Sequence, residues 1–163
     1  MDVNDLPDPN SLPLSSFIEA FASFRDEHLE VLNRCSSGDH VPIDAVRHLV
    51  TAALRRSAAM VEGFLLLVKD KNRFAAIPLI RLQIDSAMRV HACGLVKDPS
   101  DFVKHVLEGG EPRKYRKDGN LDLSDKTLHT ALTKKYPSIT ELYKDTNGYV
   151  HLSDQHLLSH FGI

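Results

Sequence analysis

Apolar residues recur at helical spacing along most of the chain, and no stretch shows the apolar–polar alternation of a half-buried strand. The longest patterns predict three long helices, over residues 16–35, 43–69 and 73–95. The third is apolar on most of its sides, which is typical of a helix buried among others. The first carries an aromatic stripe of Phe17, Phe21 and Phe24, a pattern that favours a core face over a cofactor site.

Local end signals refine these boundaries and predict shorter helices after residue 97. Capping boxes, in which a serine and a glutamate three residues later bond each other's backbone, are predicted at Ser16 and Ser138. Asn72 and Ser124 are predicted as N-caps of the helices that follow them. A short helix from Ser100 is expected to end at a pair of glycines, residues 109–110.

These elements predict an all-α, single-domain helical bundle with three long helices, shorter C-terminal helices and a basic loop. A length of 163 residues, 42% hydrophobic and 26% charged, is enough for one domain with its own core. Prolines punctuate residues 1–13, which are therefore predicted to be an extended leader. The bundle domain is assigned to residues 14–155 and a C-terminal tail to residues 156–163.

Composition excludes several classes of function. A formal net charge of −2 is incompatible with a globally basic nucleic-acid binder, although it allows a local basic patch. Cys35 and Cys93 are too few and too far apart for a disulfide or metal framework, and both are interpreted as buried thiols in a reducing compartment. No apolar run approaches the roughly 18 residues that span a membrane. The protein is therefore predicted to be cytoplasmic and to make no membrane contact. No cofactor is predicted, because phosphate-loop and dinucleotide motifs are missing from the sequence.

Arg81 and Asp85 stand four residues apart on the third long helix, beside its apolar arc. Charged groups are rarely buried unless they are paired, so one interpretation is a structural ion pair whose stems pack against a neighbouring helix. The other is a cation that Asp85 holds and aims into a cleft, ready to stabilise a phosphate-like charge. The residues favour the structural interpretation and leave the other open.

Tyr143, Asn147 and His151 follow one another at intervals of four, which places them on one stripe of the last predicted helix. His151 is the best candidate for a general acid or base, because imidazole titrates near neutral pH. Tyr143 and Asn147 would then orient the imidazole or a substrate. The alternative is an ordinary packing histidine. The same turns carry Leu142, Tyr149 and Val150, which are expected to face the core.

A basic run supplies a second candidate site, for binding. Four cations and one aromatic residue could neutralise phosphates and stack on a base; they are Arg113, Lys114, Tyr115, Arg116 and Lys117. A solvated loop is the favoured alternative, because the rest of the chain is not basic. Near the C-terminus His151, Asp154, His156 and His160 match no zinc spacing, so no metal site is predicted.

Two segments, residues 73–86 and 143–153, resemble parts of the HEPN-like helical domains of bacterial abortive-infection and toxin systems. The resemblance implies a helical bundle, often a homodimer, and in active members a metal-independent endoribonuclease. In those members an arginine a few residues before a histidine stabilises the phosphate transition state, and the histidine acts as acid and base. No arginine stands in that window before His151, so Arg81 would have to supply the cation from another helix.

Two functions therefore stay open. The first is a ribonuclease effector of bacterial defence or a toxin–antitoxin system, with catalytic His151, Arg81 and Asp85 and with RNA and an antitoxin protein as possible partners. The second is a non-catalytic helical module that binds a protein, a nucleotide or another anion. Convergence of Arg81 and His151 on an open cleft would favour the first, and burial of Arg81 would favour the second.

Overall fold

A computed structural model describes residues 13–36, 44–115, 119 and 121–150 of this chain. Within these residues there are six α-helices, one short 3-10 turn and no strand, so the predicted all-α fold is confirmed. No helix in the described ranges is long and apolar enough to cross a membrane. The helices are α1 (Leu14–Ser36), α2 (Ala45–Lys69), α3 (Arg73–Leu95), α4 (Pro99–Leu107), α5 (Asp125–Lys135) and α6 (Ile139–Val150), and the 3-10 turn is Pro112–Lys114.

Four helices begin at side chains that satisfy their first free amide groups, and the cap of α4 is described below. The Asn72 carboxamide accepts a hydrogen bond from the Ala75 amide at 3.2 Å, and α3 begins at the next residue, as predicted. The Ser124 hydroxyl accepts from the Thr127 amide at 3.4 Å at the start of α5, which confirms a second predicted cap. Asp44 caps α2 in the same way through the Arg47 amide at 2.8 Å. Such caps contribute about 0.5–2 kcal/mol each.

Three predicted helix starts differ from the structure by one or two residues, among them that of α2, which begins at Ala45 instead of residue 43. Helix α1 begins at Leu14, so Ser16 lies inside it and cannot form the predicted capping box; the Phe17 amide instead donates to the Pro13 carbonyl at 3.2 Å. Helix α4 begins at Pro99, before Ser100, and Asp98 caps it through the Asp101 amide at 3.0 Å. Proline suits this first helical position, because it has no amide hydrogen to leave unsatisfied there.

The core lies around the C-terminal half of α3. Met88 and Ala92 are fully buried against Phe102 of α4 and Leu128 of α5. Burying a large apolar side chain such as that of Met88, Phe102 or Leu128 stabilises the fold by about 1.5–3 kcal/mol. Helix α1 packs on α2, where the rings of Phe21 and Phe64 lie 5.3 Å apart. Helix α3 is therefore central, as its apolar pattern predicted, and α6 packs along it.

The predicted leader and tail cannot be compared with this structure. Of residues 1–13 only Pro13 is described, and residues 156–163 lie outside the described ranges. The bundle assigned to residues 14–155 is seen from Leu14 to Val150, with the gaps given above.

Candidate functional site

Arg81 of α3 is 7% exposed and lies against Tyr143 of α6. Its guanidinium carbon stands 3.9 Å from the centre of the tyrosine ring, and its Nη2 donates to the tyrosine hydroxyl at 2.7 Å. Nη1 donates to Oδ1 of Asp85, one turn further along α3. The structure thus brings three predicted site residues together, and the Arg81–Asp85 pairing expected from their spacing is present.

The surroundings of Arg81 resemble a structural junction more than an open cleft. Its Nε is buried and has no hydrogen-bond partner within the described residues, which costs free energy. The Asp85 side chain is 36% exposed, so the ion pair lies at the edge of the core with its arginine end inside. Stacking a cation on an aromatic face contributes about 0.5–2 kcal/mol, which offsets part of the cost of burial.

His129 of α5 completes this cluster and was not predicted. Its ring centre lies 4.4 Å from that of Tyr143. Its Nε2 is buried and has no hydrogen-bond partner in the part of the chain that is described. The only sequence signal for His129 is its position beside Leu128, which faces the core. We call Arg81, Asp85, His129 and Tyr143 the Arg81 junction.

Helix α6 presents a different face to the core than the sequence predicted. Leu142 and Val150 are exposed, so the prediction that they face the core is wrong; Tyr149 is half-buried. Thr146 is buried instead, and its hydroxyl donates to the Leu142 carbonyl at 2.6 Å. The stripe that carries Tyr143 is therefore in part the packed face of the helix. It is not an open polar ladder there.

Of the two remaining members of the stripe, only Asn147 is among the described residues. Asn147 is exposed, one turn after Tyr143. His151 follows the last residue of α6 and lies outside the described residues, so its meeting with Arg81 stays a prediction.

The basic run is divided by the structure. Arg113 and Lys114 are exposed, and both side chains bond the carboxylate of Glu111, with Arg113 Nε at 2.6 Å from Oε2. The hydrogen bonds from Lys114 and then Arg113 lower the pKa of Glu111. These two cations are therefore partly neutralised by a neighbouring acid. Arg116 and Lys117 lie outside the described residues.

Tyr115 does not fit the role predicted for it. It is 3% exposed and belongs to the core cluster, where its ring meets Phe102 edge-on at 5.3 Å. Its hydroxyl donates to Asp101 at 3.0 Å. A ring enclosed in this way offers no face to a base, so its predicted stacking on a nucleotide is wrong for this conformation. Its aromatic character serves packing instead.

No metal-binding group of three or more histidine, cysteine, aspartate or glutamate side chains is found among the described residues. The cluster around His151, Asp154, His156 and His160 lies outside them.

Comparison with known proteins finds no matching family model, no matching curated protein and no matching solved structure. The likeness to HEPN-like domains therefore rests on the two sequence segments alone.

Proposed function

We propose that this protein is a non-catalytic helical binding module in which the Arg81 junction fastens α5 and α6 to α3. The burial and occupation of Arg81 support this proposal. A cation that stabilises a developing negative charge must aim free donors at the reacting atoms. Arg81 is 7% exposed; one of its terminal nitrogens bonds Asp85, the other bonds Tyr143, and its unpaired Nε is buried.

A HEPN-like, metal-independent endoribonuclease effector of bacterial defence or a toxin–antitoxin system is the second candidate. One contact supports it: Tyr143 touches Arg81 and stands eight residues before His151 on the same predicted stripe. In this mechanism His151 takes the 2′-hydroxyl proton and Arg81, held by Asp85, stabilises the phosphate. Arg81 would first have to become accessible to the phosphate, because it is 7% exposed in this structure.

The other residues have defined parts in the second candidate. Asn147 would position the group under attack, and the exposed Arg113 and Lys114 would guide the RNA together with Arg116 and Lys117. An antitoxin protein would then be a natural partner. Both candidates share a cytoplasmic location and a homodimer, which we also propose.

Incubation of the purified protein with total RNA in the presence of EDTA separates the two candidates. His151→Ala is compared with the wild type, and His156→Ala serves as a matched control, because residue 156 does not share the stripe with Tyr143. The binding-module proposal expects no turnover by any of the three proteins. Cleavage by the wild type and by His156→Ala, but not by His151→Ala, would overturn it in favour of the ribonuclease.

A further inference from the structure

A groove lies at the corner of the bundle where α2 gives way to α3, and it shares no residue with the Arg81 junction. Its volume is about 520 Å³. Two exposed cations, Lys71 and Arg73, line it beside an apolar wall. That wall is formed by Phe64, Val68, Ala76, Ile77 and Ile80. We call this surface the corner groove.

The charge at the corner groove is positive and is not neutralised by an ion pair. Neither Lys71 nor Arg73 forms a salt bridge with a described residue. Lys69, at the end of α2, adds a third cation to the same corner, whereas Asp70 is the one acid there and does not line the groove. The corner groove therefore suits an apolar segment that carries negative charge.

Helix α1 begins beside this corner. It runs antiparallel to α2, because Phe21 meets Phe64 near one end of the pair and Arg47 bonds the carbonyl of Cys35 near the other. The first residue of α1 stands seven residues before Phe21, and Lys71 stands seven residues after Phe64. The two positions therefore lie at the same level of the bundle. The chain that precedes α1 thus joins it next to the corner groove.

The leader has a sequence pattern that suits such a groove, although residues 1–12 lie outside the described residues. Taken in threes from residue 2, it places an acid first and an apolar residue second in three successive triplets. The acids are Asp2, Asp5 and Asp8, and the apolar residues are Val3, Leu6 and Pro9. A polyproline II segment has three residues per turn, so this pattern would give it one acidic edge and one apolar edge.

A turn signal and the available lengths fit the same groove. Asp8 and Pro9 are favoured residue types at the first two positions of a type I turn, and such a turn would direct residues 2–7 back along the bundle. Val3 and Leu6 would then stand about 9 Å apart, at about 3.1 Å per residue. The α3 side of the corner groove spans residues 73–80, which is about 10 Å along a helix.

We propose that the leader docks in the corner groove of its own chain. Val3 and Leu6 lie against the apolar wall, and Asp5 faces Lys71 and Arg73. A segment tethered beside its site has an effective concentration on the order of millimolar, so even a weak contact keeps the groove filled. The inference goes beyond the binding-module proposal, because it assigns the occupant of a second surface. It leaves the opposite part of α1, which carries residue 24, free.

Tryptophan fluorescence of the full-length chain tests the inference. The chain contains no tryptophan, so one placed in the leader reports on its own surroundings alone. Leu6→Trp changes the apolar edge, and Asn4→Trp is the matched control, because residue 4 belongs to neither the apolar nor the acidic edge. We expect emission at a shorter wavelength from Leu6→Trp than from Asn4→Trp, together with a loss of quenching by acrylamide.

A charge reversal identifies the groove in which that tryptophan lies. In the Leu6→Trp background, Arg73→Glu should shift the emission towards that of Asn4→Trp. Lys104→Glu, which changes an exposed lysine of α4 outside the groove, should leave the emission where it was. Arg73→Glu puts an acid in the first turn of α3, where the helix dipole favours one, so the bundle should remain folded. Far-UV circular dichroism checks the helix content of each variant.

Four outcomes would overturn the inference. Equal emission and equal quenching of Leu6→Trp and Asn4→Trp would show that the leader is not docked. A short-wavelength emission unaffected by Arg73→Glu would place Leu6 at another site, and one that disappears on dilution would place it on a second copy. Protected emission from Leu158→Trp that responds to Arg73→Glu would assign the corner groove to the C-terminal segment. None of these results bears on the Arg81 junction, which the RNA assay tests separately.

Discussion

The hydroxyl of Tyr143 accepts a hydrogen bond from Arg81 and so links α3 to α6, while the tyrosine ring carries the cation contact. We expect Tyr143→Phe to remove the hydrogen bond, retain the stacking and lower the free energy of unfolding by about 1–3 kcal/mol, because the bond involves a buried charged donor. Tyr136→Phe, at an exposed position, should change it by less than about 0.5 kcal/mol. Urea denaturation measures both. Equal stability of the two variants would show that this bond does not hold α6.

Cys93 gives a second prediction for a single residue. Burial, and to a lesser extent the nearby carboxylate of Asp44, raises the pKa of its thiol. The folded state therefore favours the neutral thiol. This preference contributes to the stability of the folded state; the contribution is fully present below the ordinary thiol pKa and is lost as the pH rises through the raised pKa of the folded protein. At pH 8 we expect iodoacetamide to modify half-buried Cys35 well before Cys93, and both equally in urea. Peptide mass spectrometry reads both sites in one sample, and faster modification of Cys93 in the folded protein would refute this.

The residue-level predictions from sequence succeeded where the partners are close in the chain. Arg81 and Asp85 are one helical turn apart, so their spacing alone placed them together. The contact between Arg81 and Tyr143 spans 62 residues and depends on how α6 packs, which no local pattern encodes. His129 was not predicted, and Tyr115 was assigned the wrong role, for the same reason: tertiary packing decides which face of an aromatic side chain is free.

Two glycines show how backbone conformation and packing decide the effect of the same substitution in different elements. Gly63 lies inside α2, and an added Cβ would stand 3.5 Å from Leu79, an ordinary contact. We expect Gly63→Ala to stabilise the protein by about 0.5–1 kcal/mol, because alanine is the better helix former. Gly109 follows α4 with φ of +88°, a left-handed conformation that alanine adopts only with strain. Gly109→Ala should therefore destabilise the protein by about 1–2 kcal/mol. Thermal and urea unfolding measure both, and a shift of the same sign for the two variants would contradict this account.

Two helix starts were predicted correctly from their capping residues. Asn72 and Ser124 cap α3 and α5 as expected, although Asp70 and Asp122 stand two residues before them. At the start of α4, Asp98 and Ser100 compete within three residues, and the proline between them favours the earlier cap. At α1 the helix simply continues upstream of Ser16. Propensity and periodicity therefore fix the existence and type of an element better than its first residue.

On the scale of the whole molecule, an apolar trough runs along one face of the bundle. Two grooves of about 390 and 520 Å³ share Phe64 and Ile80 and so form a continuous surface. Phe21 lines the trough. The centre of its ring lies 6.0 Å from that of Phe24, a side chain that is 50% exposed. A recess and an apolar ridge thus lie side by side. This arrangement suits a two-fold symmetric dimer, in which the same patch of each copy meets the other and the Phe24 ring of one copy can fill the recess of its partner.

We therefore expect a homodimer in which Phe24 of each copy enters the trough of the other. Phe24→Lys should give a monomer at micromolar concentration, because a charged side chain would have to be buried at the centre of the interface. Leu107→Lys is the matched control, since Leu107 is 69% exposed at the end of α4 and does not line the trough. Light scattering should return a dimer for the wild type and the control. A monomeric wild type would refute the dimer, and a dimeric Phe24→Lys would place its interface elsewhere.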